Sequence, residues 1–184
     1  MGTQANGVTI HPTAVVHDSA AIGKGTVIWS HACIGADVVI GEDCRIGHAA
    51  YVDRGVKIGN RVVLQSGAAV FRPWRLGHEA FVGPNATLTN DRDPHSQRTR
   101  DTGELIFKMG DGAVVGAGAV VLSDVQLGAH SFIAAAALVS RDTVSYGLYV
   151  GSPARLKGYR CTCSARYSEE EGLPRRCSEC QKTY

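Results

Sequence analysis

The sequence predicts an all-β chain whose short strands wind around a triangular prism of about six coils, with one long inserted loop and a small cysteine-rich tail. Three observations predict this. An aliphatic residue recurs every six positions, that period fails once between residues 89 and 111, and four of the six cysteines fall in the last 24 residues. Six is not a helical multiple, because 3.6-residue turns would carry such positions around a helix.

Stepping by six from Ile10 gives fourteen consecutive aliphatic positions, through Ile28, Ile46, Leu64 and Val82 to Leu88. The phase resumes at Val115, Val121, Leu127, Ile133 and Val139. The residue four places after each is usually small, as at Ala14, Ala32, Ala68, Ala86 and Ala119, and the residue directly after it is glycine nine times in nineteen. One aliphatic and one small residue per hexad face inward, and the glycines are expected to supply turn conformations that a Cβ opposes. Three hexads close one coil. Each coil buries its aliphatic layer only against the next, and six coils at the parallel-strand spacing give a prism about 30 Å long.

Composition bounds the rest. Nineteen basic and 17 acidic side chains leave a net charge of +2, too weak a field to point to a nucleic-acid or membrane partner. Apolar residues at 44% and charged residues at 20% are globular proportions. No apolar run approaches the ~18 residues of a membrane span, and the start MGTQANG has no signal-peptide pattern. The cysteines do not form a framework spread over a secreted fold, so a cytoplasmic protein is expected. Two units are expected: residues 1–158 as the prism, with the excursion 89–111, and residues 159–184 as the tail.

The period resembles that of the hexapeptide-repeat, left-handed parallel β-helix family, which consists largely of acyltransferases. A finer likeness is to the nucleotide-sugar 3-N-acetyltransferases. It rests on Ile28-Trp29, on the run Phe81-Val82-Gly83-Pro84-Asn85-Ala86-Thr87-Leu88-Thr89-Asn90 that enters the loop, and on Tyr149-Val150-Gly151-Ser152-Pro153-Ala154-Arg155 after the last coil. The resemblance implies an acyl-CoA-dependent N-acyltransferase, with acetyl-CoA as co-substrate, a nucleotide-linked amino sugar as acceptor, and a homotrimer with sites between subunits.

Acyl transfer to an amine needs a free-base nucleophile in line with the thioester and a stabilised oxyanion. A sugar amine with a pKa near the α-amino value of about 8 is about one-tenth free base at pH 7. An orienting acceptor therefore suffices. By resemblance Asn90 fills that place, the departing thiolate taking the proton. Of seven histidines, His95 lies in the loop and is the second candidate; His31 and His130 share one hexad position, His48 and His78 another, as turn residues. The loop also carries Arg92, Arg98, Arg100 and Lys108 against Asp91, Asp93, Asp101 and Glu104. The pantetheine arm is expected along the late coils, where Gly116, Ala117, Gly118, Ala134 and Ala135 permit close approach, with Arg155 and Lys157 meeting the adenosine phosphates.

Two stretches depart from the related acetyltransferases. Gln65-Ser66-Gly67 stands where Gln-Asn-Asn is typical, and Phe71-Arg72-Pro73-Trp74 places Trp74 in a normally small inward slot. In the tail, Cys161-x-Cys163 and Cys177-x-x-Cys180 have the paired spacing of a structural zinc site, zinc-ribbon-like and closed to catalysis because all four positions are cysteine. Cys44 falls in a small inward slot and Cys33 beside a core position. The alternatives are O-acetylation of a small hydroxyl acceptor, which requires a true base, and a non-catalytic β-helical assembly module. A zinc hydratase of this fold needs a His-x-x-x-x-His pair, and no two histidines are five apart.

Overall fold

The computed structural model describes residues 7–97 and 105–184, and the backbone of Gly2–Thr3. Among these there are strands and turns and no helix, so no helix is long and apolar enough to cross a membrane. Arg98, Arg100, Asp101 and Glu104 lie outside the described residues.

Two-residue strands stack into three parallel sheets. Face 1 holds Thr9–Ile10, Val27–Ile28, Arg45–Ile46, Val63–Leu64, Phe81–Val82, Val114–Val115 and Phe132–Ile133. Face 2 holds Val15–Val16, Cys33–Ile34, Tyr51–Val52, Ala69–Val70, Thr87–Leu88, Val120–Val121 and Leu138–Val139. Face 3 holds Ala21–Ile22, Val39–Ile40, Lys57–Ile58, Trp74–Leu76 and Phe107–Met109. Successive strands of a face lie 18 residues apart in register, as in Val27↔Arg45 and Val63↔Phe81, except across the inserted loop, as in Phe81↔Val114. Seven levels therefore stand close to the six expected.

The core is built as the hexads require. The aliphatic position of every level from Ile28 on is buried, from Ile46 and Val52 to Val121 and Ile133. The small slots behind face 2 are filled by alanine alone, from Ala32 to Ala137. The glycines act differently from expectation. Gly83 lacks a left-handed φ, but a Cβ there would meet Ala117 N at 2.6 Å and Gly116 C at 2.8 Å in the next coil. Close stacking of coils, not turn conformation, excludes a side chain after the aliphatic residue. The left-handed turn position lies two residues later and is taken more often by other residues, such as His31, Asp43, Asn85 or His130, than by glycine.

The period also recovers earlier than Val115. Phe107–Met109 already pairs in parallel with Trp74–Leu76, so the excursion leaves after Leu88 at the edge between faces 2 and 3 and returns at Phe107. Trp74 and Phe107 both occupy small slots on face 3, are both buried, and meet edge to face with ring centres 5.6 Å apart. The Trp74 indole N–H donates to the Thr89 carbonyl at 2.8 Å, which gives the buried ring's polar atom its partner. The bulky pair thus fills the widened prism beside the loop. Trp74→Ala should lower unfolding stability by about 3–5 kcal/mol through the cavity it leaves, measured by denaturant titration; a loss within error would contradict this packing.

Beyond the seventh level, Gly147–Val150 pairs in parallel with Phe132–Ile133, then antiparallel with Arg155–Arg160, which pairs with Arg166–Tyr167. The tail thereby continues the sheet of face 1.

Candidate active site and cysteine cluster

The loop root is the best-built part of the surface. Thr89 extends face 2, donating its N–H to Val121 O at 2.9 Å while its carbonyl accepts from Trp74. Asn90 follows directly and is half-buried at the edge between faces 2 and 3. The Thr89 hydroxyl beside it is buried without a hydrogen-bond partner, a feature that sequence reasoning missed and that no residue pattern signals.

Arg92, one of the loop cations, is committed to backbone carbonyls. Its Nε donates to Ser123 O and a terminal guanidinium nitrogen to Ser140 O, each at 2.9 Å. These two bonds tie the loop to the sixth and seventh levels, and Gln126 Nε2 holds the returning strand at Ile106 O, 3.1 Å away. Arg92→Ala should accelerate proteolytic cleavage within residues 89–106 about tenfold, the effect of two lost hydrogen bonds from a charged donor on local opening; an unchanged cleavage rate would contradict the anchoring role. His95 is exposed farther out, and its Nδ1 accepts the Gln97 N–H at 3.2 Å.

The small residues proposed for pantetheine form one column at a different edge, between faces 1 and 2. A Cβ on Gly116 would meet Ala135 N at 2.5 Å and Ala134 C at 2.7 Å. Ala136 N donates to Ala117 O, and Ala134 N to Tyr149 O, both at 2.9 Å. Gly118 takes a left-handed turn, φ 63°. Arg155 and Lys157 are exposed on the strand that follows the hairpin over this edge. Within one chain, face 2 separates this column from Asn90 by about 16 Å, from five residues of strand rise.

Lower on the same edge, Trp29, Arg45, His48, Gln65 and Ser66 line an open concavity of about 310 Å³. The His48 ring nitrogen is 2.8 Å from the Ser30 hydroxyl, and His31 packs edge-on against it. His31 and His130 take left-handed turns, while His48 and His78 follow edge glycines, so the shared hexad positions are turn positions. Cys44 is buried and donates to Gly59 O at 3.1 Å, and burial pushes its thiol above the ordinary value. It packs; it is not poised as a nucleophile.

The tail brings its four cysteines together. Their sulfurs all lie within 4.8 Å of one another, with Cys161–Cys180 at 3.6 Å and Cys163–Cys177 at 3.7 Å. Those separations exceed a disulfide bond and match the edge of a tetrahedron with metal–sulfur bonds of about 2.3 Å. Within the set Cys163 is pushed up to about 12 by its neighbouring thiols, and Cys177 is pulled the other way. The backbone N–H of Cys180 and the Tyr167 hydroxyl, 3.1 Å from the sulfur, hold the Cys177 thiol down to about 5. The site fits a divalent thiophilic metal.

With this geometry in view, known proteins can be compared. Residues 37–72 match the family model described as bacterial transferase hexapeptide (six repeats). The chain is 31% identical over 114 residues to serine acetyltransferase 2 of Arabidopsis thaliana, covering 61% of this chain and 29% of that protein. It is 38% identical over 64 residues to dTDP-3-amino-3,6-dideoxy-alpha-D-galactopyranose 3-N-acetyltransferase of Aneurinibacillus thermoaerophilus, covering 35% of this chain and 32% of that one. The chain thus spans about three-tenths of the length of these two curated relatives. Its fold is similar to the acetyltransferase domain of PglB from Neisseria gonorrhoeae FA1090 in complex with acetyl coenzyme A, with a TM-score of 0.54 at 22% identity, over 82% of this chain and 58% of that one.

Proposed function

We propose that this chain transfers an acetyl group from acetyl-CoA to the amine of a nucleotide-linked amino sugar. The observation that carries the reading is the buttressed loop root. A hexapeptide β-helix needs no interruption to fold, yet here Trp74, Phe107 and Arg92 are all committed to fixing one excursion at one edge. Relatives of the same repeat that act on acetyl groups, one of them on a nucleotide-linked 3-amino sugar, support the class.

In this reading the Asn90 amide oxygen accepts a hydrogen bond from the acceptor amine and aims its lone pair at the thioester carbonyl. The amine attacks, the carbon–sulfur bond breaks, and the leaving thiolate receives the proton that the amine loses. His95 is the second proposed site residue. Acetyl-CoA lies along the column of Gly116, Ala117, Gly118, Ala134 and Ala135, with its adenosine phosphates at Arg155 and Lys157. Since that column and Asn90 stand on different edges, one site draws on two copies, as in the homotrimer expected from the resemblance. The outward residues of face 2 support such packing: Val15, Cys33, Tyr51, Ala69, Thr87, Val120 and Leu138 carry no charge, and Val15 is 65% exposed. A structural zinc in the four-cysteine cluster and a reducing, cytoplasmic setting complete the reading, with neither nucleic acid nor membrane as partner.

O-acetylation of a small hydroxyl is the second reading, favoured by the 31% identity to a serine acetyltransferase. A panel of nucleotide-linked 3-amino and 4-amino sugars, with serine as the hydroxyl acceptor, separates the two. An N-acetylated sugar by mass spectrometry is the expected product; O-acetylserine as the sole product would replace the first reading by the second.

A further inference from the structure

Face 3 differs from the other two in what it presents outward. From Val39 upward its exposed column runs Val39, Lys57, Arg75 and Lys108, with the half-buried Gln126 above them. The three cations are direct register neighbours, Lys57 opposite Arg75 and Arg75 opposite Lys108. Like charges directly opposite on parallel strands about 4.8 Å apart destabilise a sheet. Glu79, on the edge beside Arg75, is paired with Arg61. Asp53 accepts the backbone N–H groups of Arg54 and Arg72, and Asp111 accepts that of His78. Every acid on the adjoining edges of these coils that has a described bond is committed elsewhere.

We propose that the Lys57–Arg75–Lys108 ladder holds the phosphates of a diphosphate ligand. This deepens the transferase reading and rests on it: a nucleotide-linked acceptor brings a diphosphate, and Arg92, the described cation within the loop, is spent on carbonyls. The ladder spans the strand by which the loop returns, so Lys108 belongs to the same coil as Asn90. A diphosphate laid across Arg75 and Lys108 directs its sugar toward the edge where Asn90 stands. The flexible ammonium groups and the forked guanidinium suit phosphate oxygens, and the anion removes the repulsion that the bare ladder carries. Coenzyme A presents the same chemistry, so donor and acceptor are separated in the test.

The full-length protein is titrated calorimetrically at low salt with UDP, dTDP, GDP, the matching nucleosides and coenzyme A. At least one nucleoside diphosphate binds the native protein, and Arg75→Gln weakens it about tenfold, the loss of one charge-assisted bond, with the nucleoside unaffected. Ligand-free Arg75→Gln melts no lower than the native protein, which separates this loss from misfolding. A drop confined to coenzyme A supports the ladder with the donor as its source. Native binding of a nucleoside diphosphate that Arg75→Gln retains at full strength overturns the ladder and leaves the transferase reading standing. Failure of the native protein to bind any of these phosphates overturns both.

Discussion

Asn90→Ala is expected to lower kcat/KM for acetyl transfer by about a hundredfold or more, the cost of losing one positioned polar contact at a reacting centre. Acetyl-CoA affinity should stay unchanged, because the proposed pantetheine column lies on another edge of the prism. Thr89, the residue before it, bonds to both Val121 and Trp74, which holds the loop root in the variant. Asn90→Asp discriminates further: a carboxylate still accepts from the amine and should restore part of the rate. Equal turnover by Asn90→Ala and native protein, with acetyl-CoA saturating in both, would remove Asn90 from the mechanism.

Removing the metal from the tail is the second large effect expected. Within residues 161–184 the only buried side chains are Cys161 and Cys177, so the tail has no apolar core to fold on. Structural zinc in small modules is worth about 10–16 kcal/mol of apparent binding energy at pH 7, and that energy is folding energy. The purified chain should carry one zinc per chain, and Cys177→Ser or a strong chelator should abolish it and expose 161–184 to protease. The prism should persist, since the seven levels from Ile10 to Ile133 bury their own core. Zinc-free protein whose tail resists protease as well as the native form would show that the four thiols are merely neighbours.

The fold was legible because its signal is redundant. Each aliphatic residue from Ile28 to Val139 repeats the same statement, and a single exception such as Trp74 cannot hide it. Glycine's role was less legible: the period shows that glycine recurs after the aliphatic residue, as at Gly83, but only the stacking of Ala117 above it reveals why. The loop's position could be read from the lost phase, whereas its return at Phe107 was masked because Phe107 fills a slot that takes Ala20, Val38, Val56 or Val125 on other levels and an aromatic only at Trp74. Trp74 looked like a departure that weakened the functional reading. In the structure its indole supports Thr89, so a large residue in a small slot one coil before a loop is itself a signal of a built loop root. Arg92 could not be assigned from sequence, since a guanidinium that binds carbonyls and one that awaits a phosphate have the same letter. The four cysteines were legible from spacing alone, because metal coordination depends on few residues close in sequence.

The central claim, that this β-helix is an acetyl-CoA enzyme, is tested most directly by calorimetric titration of the purified chain with acetyl-CoA. Saturable binding is predicted, abolished by Ala135→Trp, which fills the small-residue column at the edge between faces 1 and 2. Absence of binding by the native chain at millimolar acetyl-CoA would contradict the account and leave a β-helical module with a metal-binding tail.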